Sequence, residues 1–377
     1  MKFLHISDLH LGKRVNEFPM MEEQKYILGQ ILAAVDSEQA EAVIIAGDIY
    51  DKPIPSAEAV QVFDQFLTAL ADKEIKVFAI SGNHDSAERI AFGAQLMRGR
   101  GVYLSPAYDG TVMKIKMEDA YGEIFVHLMP FIKPAVVRHA LTDEPDVDLP
   151  DTYQQAVQLV ISRMEVDKSS RNVLVAHQFV TGAGICESED IMVGGIDNVD
   201  AELFDGFDYV ALGHIHSPQS IRRETVRYCG TPLKYSFSEE KQQKSITVVE
   251  IKQKGEVRID TVPLVARHDM RTIRGTYEEI TTKESYQGTD TKDYLKITLT
   301  DEEDVLDAMQ KLRIFYPNLM QLEYDNSRTK QDRGIAAAEE LEQKSDLELF
   351  EEFYELQNNR PMNAEQAAYI RRLLEET

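Results

Sequence analysis

Cysteine, long apolar runs and positive charge are scarce in this sequence. Its 377 residues include two cysteines, Cys186 and Cys229, whose spacing fits neither a disulfide framework nor a zinc motif. No stretch approaches the roughly 18 apolar residues of a membrane-spanning helix, and Asp8 interrupts the one apolar segment near the N-terminus that resembles a signal peptide. We therefore expect a globular, cytoplasmic protein that does not enter the membrane.

The shortage of positive charge restricts the class of ligand. The chain has 41 basic and 65 acidic residues and a net charge of -24. Such a chain repels nucleic acid at long range, whereas a dedicated DNA-binding protein is normally basic. The charge balance therefore counts against a DNA enzyme that acts without a partner. Its distribution is uneven, because residues 220–244 carry six Lys/Arg and three Asp/Glu.

Short apolar runs rich in Val and Ile alternate with helical periodicity up to about residue 265. The pattern predicts helices over residues 20–35 and 56–70, and a third helix after Ser86. Further along, strand-like runs outnumber helices. This is typical of an α/β domain in which two packed sheets are flanked by helices, rather than of one doubly wound sheet.

The pattern of strand-like and helical segments changes after His268. A strand-like "DYLKITLT", a helical "EDVLDAMQKLRIF" and a strand-like "LMQLEYD" predict a small α+β domain. From Gln331 onward the chain is charged and helical, without a strand signal. We expect three parts: a catalytic domain over residues 1–265, a small capping domain over 266–330 and C-terminal helices over 331–377.

Polar residues of metal-binding type follow five of the strand-like runs. At the carboxyl edge of an α/β sheet, separate strand ends converge on one cleft. In an extended segment a spacing of two places side chains on the same face, which pairs Asp8 with His10 and His214 with His216. The candidate ligands are Asp8, His10, Asp48, Asn83, His177, His214 and His216.

Each of these residues alone has an ordinary structural explanation. A single buried histidine is more often hydrogen-bonded than metal-bound, and Gly82 with Asn83 also suits a plain turn before a helix. The whole set at strand ends favours a metal site. Two cations roughly 3.5–4 Å apart repel each other, so a carboxylate must lie between them and bind both. We predict that Asp48 is this bridging ligand.

The motifs D-x-H, G-D, G-N-H-D, a lone His and G-H-x-H occur in this order through residue 217, and in this they resemble the calcineurin-like metallophosphoesterase family. More narrowly, "SDLHLGK", "AGDIYDKPIPS", "GNHDS" and "YCGTPLKYSFSEEK" are similar to the SbcD family of bacterial nuclease subunits. The likeness extends over nearly the whole chain. It implies a two-sheet metallophosphoesterase sandwich.

The resemblance also implies a role for each candidate residue. The ligands of one divalent ion would be Asp8, His10, Asp48 and His216. The ligands of the other would be Asp48, Asn83, His177 and His214. His84 would be the catalytic histidine, and Asp85 is expected to orient it.

By the same resemblance we expect a manganese-dependent DNA nuclease, a double-strand exonuclease and single-strand or hairpin endonuclease, that acts in DNA repair and recombination. Its partners would be DNA and an SMC-like ABC ATPase of the SbcC type, in a heterotetramer built on a homodimer of this chain. The helices after residue 331 would dock the ATPase, although their apolar faces are also compatible with folding back on the catalytic domain. The alternatives are a metallophosphatase or cyclic-nucleotide phosphodiesterase, and a scaffold without catalysis, against which the complete ligand set argues.

The acidic balance does not suit DNA as the substrate. We expect the metals, the partner and a basic run of the chain to supply the attraction for phosphate. That run comprises Arg222, Arg223, Arg227 and Lys234.

Overall fold

The computed structural model describes residues 1–327, apart from 146, 185 and 190–196, and seven residues between 350 and 370. Apart from those seven, the predicted helices of residues 331–377 lie outside the described residues. The chain divides into two compact units, Met1–Asp269 and Met270–Thr377. No helix in the described part has the length and apolar character required to cross a bilayer.

Strands are the more numerous elements of the described residues. They are β1 (Lys2–Ile6), β2 (Arg14–Val15), β3 (Phe18–Pro19), β4 (Ala42–Ala46), β5 (Lys76–Ile80), β6 (Val102–Leu104), β7 (Met113–Asp119), β8 (Gly122–Leu128), β9 (Arg171–His177), β10 (Phe179–Val180), β11 (Asn198–Val199), β12 (Tyr209–Gly213), β13 (Gln219–Ile221), β14 (Arg223–Tyr228), β15 (Ser245–Ile251), β16 (Val257–Pro263), β17 (Met270–Gly275), β18 (Tyr294–Leu299) and β19 (Leu319–Tyr324). The helices are α1 (Met21–Ser37), α2 (Ala57–Asp72), α3 (Ala87–Ile90), α4 (Ala94–Met97), α5 (Pro134–Ala140), α6 (Tyr153–Ser162), α7 (Tyr277–Thr281), α8 (Lys283–Tyr286) and α9 (Ala308–Leu312).

Two six-stranded sheets build the first unit. One has the strand order β16-β15-β1-β4-β5-β6 and the other β13-β14-β12-β9-β8-β7. Four strands of each sheet run parallel: β1, β4, β5 and β6 in the first, and β14, β12, β9 and β8 in the second. Antiparallel strands complete each sheet. The predicted fold class, an α/β two-sheet sandwich flanked by helices, is confirmed.

Alternation along the strands creates two apolar layers. In β9, Val173 and Val175 belong to a cluster that also contains Ile44 of the first sheet, so that this layer joins the two sheets. Leu174 and Ala176 point the other way and pack with residues of α5 and α6. Strands buried on both faces explain the continuous apolar runs of the sequence.

The helices follow the predictions with one difference. The helices α1 and α2 occupy the predicted segments, and the Ser56 hydroxyl caps α2 by accepting from the Ala59 amide. After Ser86 the predicted single helix is divided into α3 and α4. Gly93 interrupts it with a left-handed φ of 73°, which glycine adopts without strain.

The second unit contains a three-stranded parallel sheet in the order β17-β18-β19. The strands expected from "DYLKITLT" and "LMQLEYD" correspond to β18 and β19. The helix expected between them is shorter than its apolar pattern, since α9 has five residues and Asp307 before it is left-handed. A core around Leu295, Ile297 and Leu312 closes the unit.

Candidate metal centre

Strand ends of both sheets position the candidate ligands within the first unit. Asp8 follows β1, and its amide donates to the carbonyl oxygen of Gly47 at 3.0 Å. The amide of His10 donates to the carbonyl oxygen of Asp48, also at 3.0 Å. Left-handed backbone at Asp8, His10 and Asp48 turns each loop sharply at the strand end. This backbone strain is concentrated at the candidate site.

Two glycines permit the loops to approach one another. A Cβ on Gly213 would lie 1.9 Å from the carbonyl oxygen of Ala46, and one on Gly82 would lie 2.1 Å from Oδ1 of Asp48. Both distances are far below any van der Waals contact. The close approach of the two sheets therefore requires Gly213, and that of the loops after β4 and β5 requires Gly82.

One cluster combines a carboxylate with two imidazoles. Asp8, His10 and His216 each offer one atom, and these three atoms lie within 4.8 Å of one another. Nε2 of His10 is 3.3 Å from Nε2 of His216. All three side chains are almost completely buried, and the Asp8 carboxylate is held by the amide of His214 at 3.1 and 3.2 Å.

A second cluster surrounds the amide oxygen of Asn83. It lies 3.0 Å from Nε2 of His177 and 2.9 Å from Nδ1 of His214. Nδ1 of His177 is 2.8 Å from the carbonyl oxygen of Ala46, to which it donates. In neutral His177, Nε2 is therefore a bare acceptor that faces another acceptor. A cation held by these two residues would satisfy both acceptors.

Asp48 lies between the two clusters. Its Oδ2 is 3.4 Å from Nε2 of His177 and 3.7 Å from Nε2 of His10, while its Oδ1 accepts from the amide of His84 at 2.9 Å. Carboxylate oxygens and imidazole nitrogens together suit Mn, Fe or Zn. The residues present thus fit divalent cations, and Asp48 would be within reach of an ion in either cluster.

The electrostatics of the cluster indicate a deficit of positive charge. Burial raises the pKa of Asp8 to about 7, and the neighbouring Asp48 carboxylate adds to the effect. Burial alone would lower the pKa of His177, but the attraction of Asp48 raises it to about 9. A buried carboxylate either retains a proton or raises the pKa of a neighbouring base, because its negative charge needs compensation. A bound divalent cation can supply that positive charge instead of the proton.

His84 is the most accessible ring of the group, since 23% of its side chain is exposed. Its Nδ1 lies 3.2 Å from the carbonyl oxygen of Asp51, and its Nε2 lies 4.0 Å from Oδ2 of Asp48. The ring therefore borders the metal cluster with Nε2 directed toward it.

The expected orienting role of Asp85 is not what the structure shows. Its carboxylate accepts from the amides of Ile49, Tyr50 and Gly82 at 2.9–3.0 Å. These contacts fix the two loops to each other, and the Asp51 carbonyl contacts the His84 ring instead. Every residue has a backbone carbonyl, so the sequence cannot indicate which one contacts His84. The carboxylate next to His84 in the sequence was therefore the more obvious candidate.

Sequence reasoning also missed the residues behind His216. Its Nδ1 lies 2.7 Å from the hydroxyl of Ser188, and its amide donates to Glu189 at 2.6 Å. Ser188 in turn donates to the fully buried Glu239. Glu239 lies within "YCGTPLKYSFSEEK". This motif was recognised in the sequence, but no role was predicted for its glutamate.

The basic run expected to attract phosphate is engaged within the fold. Arg222 pairs with Asp205, and Arg223 donates to the carbonyl oxygens of Phe204 and Phe207. The other two members are engaged as well, since Arg227 donates to Thr247 and Lys234 pairs with Asp269. The expectation that this run serves DNA is not supported by these contacts.

Aromatic rings line one side of the cluster. Phe131 stacks on His214 with ring centroids 6.2 Å apart and meets His177 edge-on at 6.0 Å. Phe179 lies 6.3 Å from His214, and the ammonium of the exposed Lys133 is 5.4 Å from the centre of the Phe131 ring. Both phenylalanines are partly exposed. The site therefore has an apolar, cation-flanked wall.

Two family models match the chain. Residues 1–218 match the calcineurin-like phosphoesterase family, and residues 266–358 match the type 5 capsule protein repressor C-terminal domain. Among solved structures, a dimetal phosphatase from Danio rerio has 12% identity and a TM-score of 0.43, over 71% of this chain and 97% of that one.

Two curated relatives match at higher identity. The SbcD subunit of the SbcCD nuclease from Staphylococcus epidermidis is 31% identical, over 99% of this chain and 98% of that protein. The corresponding protein from Staphylococcus saprophyticus is 32% identical, over 85% of this chain and 84% of that protein. The site geometry and these matches lead to one assignment: the chain belongs to the calcineurin-like phosphoesterase family and, within it, to the metal-dependent nucleases of the SbcD type.

Proposed function

We propose that this enzyme hydrolyses phosphodiester bonds of DNA at a site for two divalent cations. The convergence of Asp8, Asp48 and His177 from both sheets within 4.8 Å supports it most directly. One ion would be held by Asp8, His10, Asp48 and His216, and the other by Asp48, Asn83, His177 and His214. Bound cations lower the pKa of a water molecule and neutralise the charge of the phosphodiester. We propose Mn²⁺ as the physiological ion, which the mixed nitrogen and oxygen ligand set permits.

His84 supplies the proton in this proposal. A carbonyl oxygen can only accept, so the contact with Asp51 places a hydrogen on Nδ1 of His84. Nε2 is then the nitrogen that exchanges a proton with the substrate. In the imidazolium form it donates to the leaving oxygen, which departs as a hydroxyl group while His84 becomes neutral.

The aromatic wall favours a polynucleotide over a small phosphate ester. Phe131 and Phe179 offer ring surfaces on which bases can stack, and Lys133 beside Phe131 offers a cation to the adjoining phosphate. These groups lie beside His214, on the side of the second ion. They replace the basic run as the expected contact with DNA.

We also propose a cytoplasmic complex with an ATPase of the SbcC type, as the names of the relatives suggest. Two copies of this chain would enter it. Leu96 and Phe92 are 86% and 83% exposed to solvent. Leu96 also lines a groove of about 350 Å³ beside α2. These apolar side chains could meet a second copy. The acidic chain would then depend on its partner for part of its affinity for DNA.

A substrate comparison tests the proposed function. With Mn²⁺ present, the protein should cut single-stranded DNA and should be a poor catalyst on p-nitrophenyl phosphate, a monoester. Cleavage should weaken as salt rises, because phosphate contacts release counterions. Strong monoesterase activity without cleavage of any DNA, with and without the ATPase, would favour the phosphatase alternative.

A further inference from the structure

A buried chain of hydrogen bonds leads away from the metal centre at His216. The hydroxyl of Ser188 lies 2.7 Å from Nδ1 of His216 and donates to Oε1 of Glu239 at 2.5 Å. Oε2 of Glu239 accepts from the ammonium of Lys244, also at 2.5 Å. Glu239 and Lys244 are 0% and 4% exposed, so that water cannot replace these partners.

The proton positions along this chain follow from its two ends. Lys244 has only donors, and an ionised Glu239 has only acceptors. The single hydroxyl hydrogen of Ser188 is therefore directed to Glu239. The Ser188 oxygen can then only accept from His216, which places the hydrogen of the neutral ring on Nδ1. The other ring nitrogen, Nε2, is left with a free lone pair.

That lone pair points into the first cluster. Nε2 of His216 lies 3.3 Å from Nε2 of His10, and the two rings flank the Asp8 carboxylate. The opposite tautomer would place a hydrogen where a ligand needs a lone pair. Hydrogen bonds of this kind behind a metal-binding histidine fix its tautomer and ring orientation.

We propose that Ser188 and Glu239 are positioning residues of the metal centre, which hold His216 in the tautomer that binds a divalent cation through Nε2. The inference rests on the proposed two-cation site and deepens it. It assigns a purpose to the "SEEK" end of the motif around Glu239, and to a serine from a separate loop. Lys244 completes the set by donating to Glu239 and to the carbonyl oxygen of His216, the latter at 2.9 Å.

A purely structural clamp is the competing explanation, and Ser188→Ala separates the two. This change leaves the buried Glu239–Lys244 ion pair in place and removes only the link to His216. Ser188→Thr retains the hydroxyl. Ser170→Ala is a matched control, because Ser170 is similarly half-buried and donates to Asp167 at 2.7 Å, outside the relay.

The test is a titration of the full-length, metal-free protein with Mn²⁺, followed by calorimetry and electron paramagnetic resonance. Ser188→Ala should weaken one of the two bound ions by about 10- to 100-fold and leave the other unchanged. Ser188→Thr should restore the affinity, and Ser170→Ala should bind as the unchanged protein does. Nitrogen NMR of the metal-free protein should show His216 with its hydrogen on Nδ1, and a mixture of tautomers in Ser188→Ala.

Each outcome decides the question. Two unchanged affinities in Ser188→Ala, or an unchanged His216 tautomer, would overturn the relay. Equal weakening of both ions would point to the structural clamp. If the unchanged protein fails to bind two ions, the proposed function itself falls, and this result is distinct from a failure of the relay. Glu239→Gln provides a second variant, expected to weaken the same ion as Ser188→Ala.

Discussion

Nδ1 of His84 lies 3.2 Å from the carbonyl oxygen of Asp51, a residue three positions beyond the proposed bridging carboxylate. The loop that carries Asp48 therefore also contacts the ring of His84, the proposed proton donor. Main chain from Asp48 to Asp51 thus connects the proposed ligand Asp48 with the proposed acid His84. A change of the Asp51 side chain should leave this contact intact, because the carbonyl belongs to the backbone.

The first prediction separates the acid from the ligand. His84→Ala should retain two bound ions and lose roughly 10²- to 10⁴-fold in turnover of a single-stranded oligonucleotide, because the proton donor is removed. Asp48→Ala should lose both the metal and the activity. Elemental analysis beside rate measurements checks this. The division of roles is wrong if His84→Ala lacks metal or keeps near-normal turnover.

The second prediction concerns the junction of the sheets. Gly213→Ala should lower the free energy of unfolding by roughly 3 kcal/mol or more, since its Cβ would lie 1.9 Å from the Ala46 carbonyl oxygen. Gly29→Ala is the control, because Gly29 lies in α1 with nothing within 4 Å. It should stabilise the protein by about 0.5–1 kcal/mol. Urea unfolding measures both; similar stabilities would refute the close approach.

The third prediction tests the aromatic wall. Phe131→Ala should lose roughly tenfold or more in kcat/KM on an oligonucleotide, because a stacked base contributes about 1–3 kcal/mol. The loss should largely vanish on a strand that is abasic at the scissile position. Phe131→Tyr keeps the ring and should behave as the unchanged protein. Equal losses on both strands, or reduced metal content, would assign Phe131 to support of His214 and His177 instead.

The fourth prediction concerns a buried ion pair between β9 and β7 whose arginine also reaches the other sheet. Arg171, 3% exposed, makes two contacts with Asp119 at 2.6 and 3.1 Å and also donates to the carbonyl oxygens of Ile251 and Lys252. Arg171→Met leaves Asp119 with the N-terminal ammonium, 2.6 Å away, as its charged partner, so that the loss of unfolding free energy should lie near the lower end of the range for a broken buried pair, about 3 kcal/mol.

The same pair gives a pH dependence of defined sign. Burial alone would raise the pKa of Asp119, but the hydrogen bonds from Arg171 and from the N-terminus hold it well below the ordinary value. A lowered pKa in the folded state stabilises the protein above the unfolded value near 4 and loses that effect as the pH falls. The stability difference between the unchanged protein and Asp119→Asn should therefore be full at pH 7 and shrink below about pH 4. A constant difference would exclude this account.

The fifth prediction concerns the C-terminal segment. A chain that ends near Gly334 should fold, bind metal and retain basal cleavage of single strands, but lose tight binding to the ATPase, because amphipathic helices serve as docking elements. Co-purification and calorimetry with the ATPase measure this. Unchanged affinity would exclude docking through residues 345–376, and an insoluble product would favour their packing on the catalytic domain.

The sequence was informative wherever one residue type and its place at a strand end were sufficient. Asp8, Asp48, Asn83 and His177 were found in this way, and the structure brings them together, while their binding of ions stays a prediction. Contacts that depend on the tertiary fold could not be found. The acceptor for His84 is a main-chain carbonyl, and Asp205, the partner of Arg222, precedes it by 17 residues and belongs to a separate element.

Local conformation set a second limit. The apolar pattern after Ser86 is continuous through Gly93, so that periodicity alone predicts one helix. The left-handed φ of that glycine divides it. The contacts of Asp85 show a related limit: adjacency in sequence does not specify from which of several nearby amides a carboxylate accepts a hydrogen bond.

The division of the ligands between the two sheets has a consequence for the order of synthesis. Asp8, Asp48 and Asn83 emerge early from the ribosome with strands β1, β4 and β5, whereas His177, His214 and His216 follow with β9 and β12. A nascent chain that ends before His177 carries three of the four proposed ligands of the first ion and two of the four of the second, and it completes neither site. By this reasoning the nuclease stays inactive at least until His214 and His216 have left the ribosome.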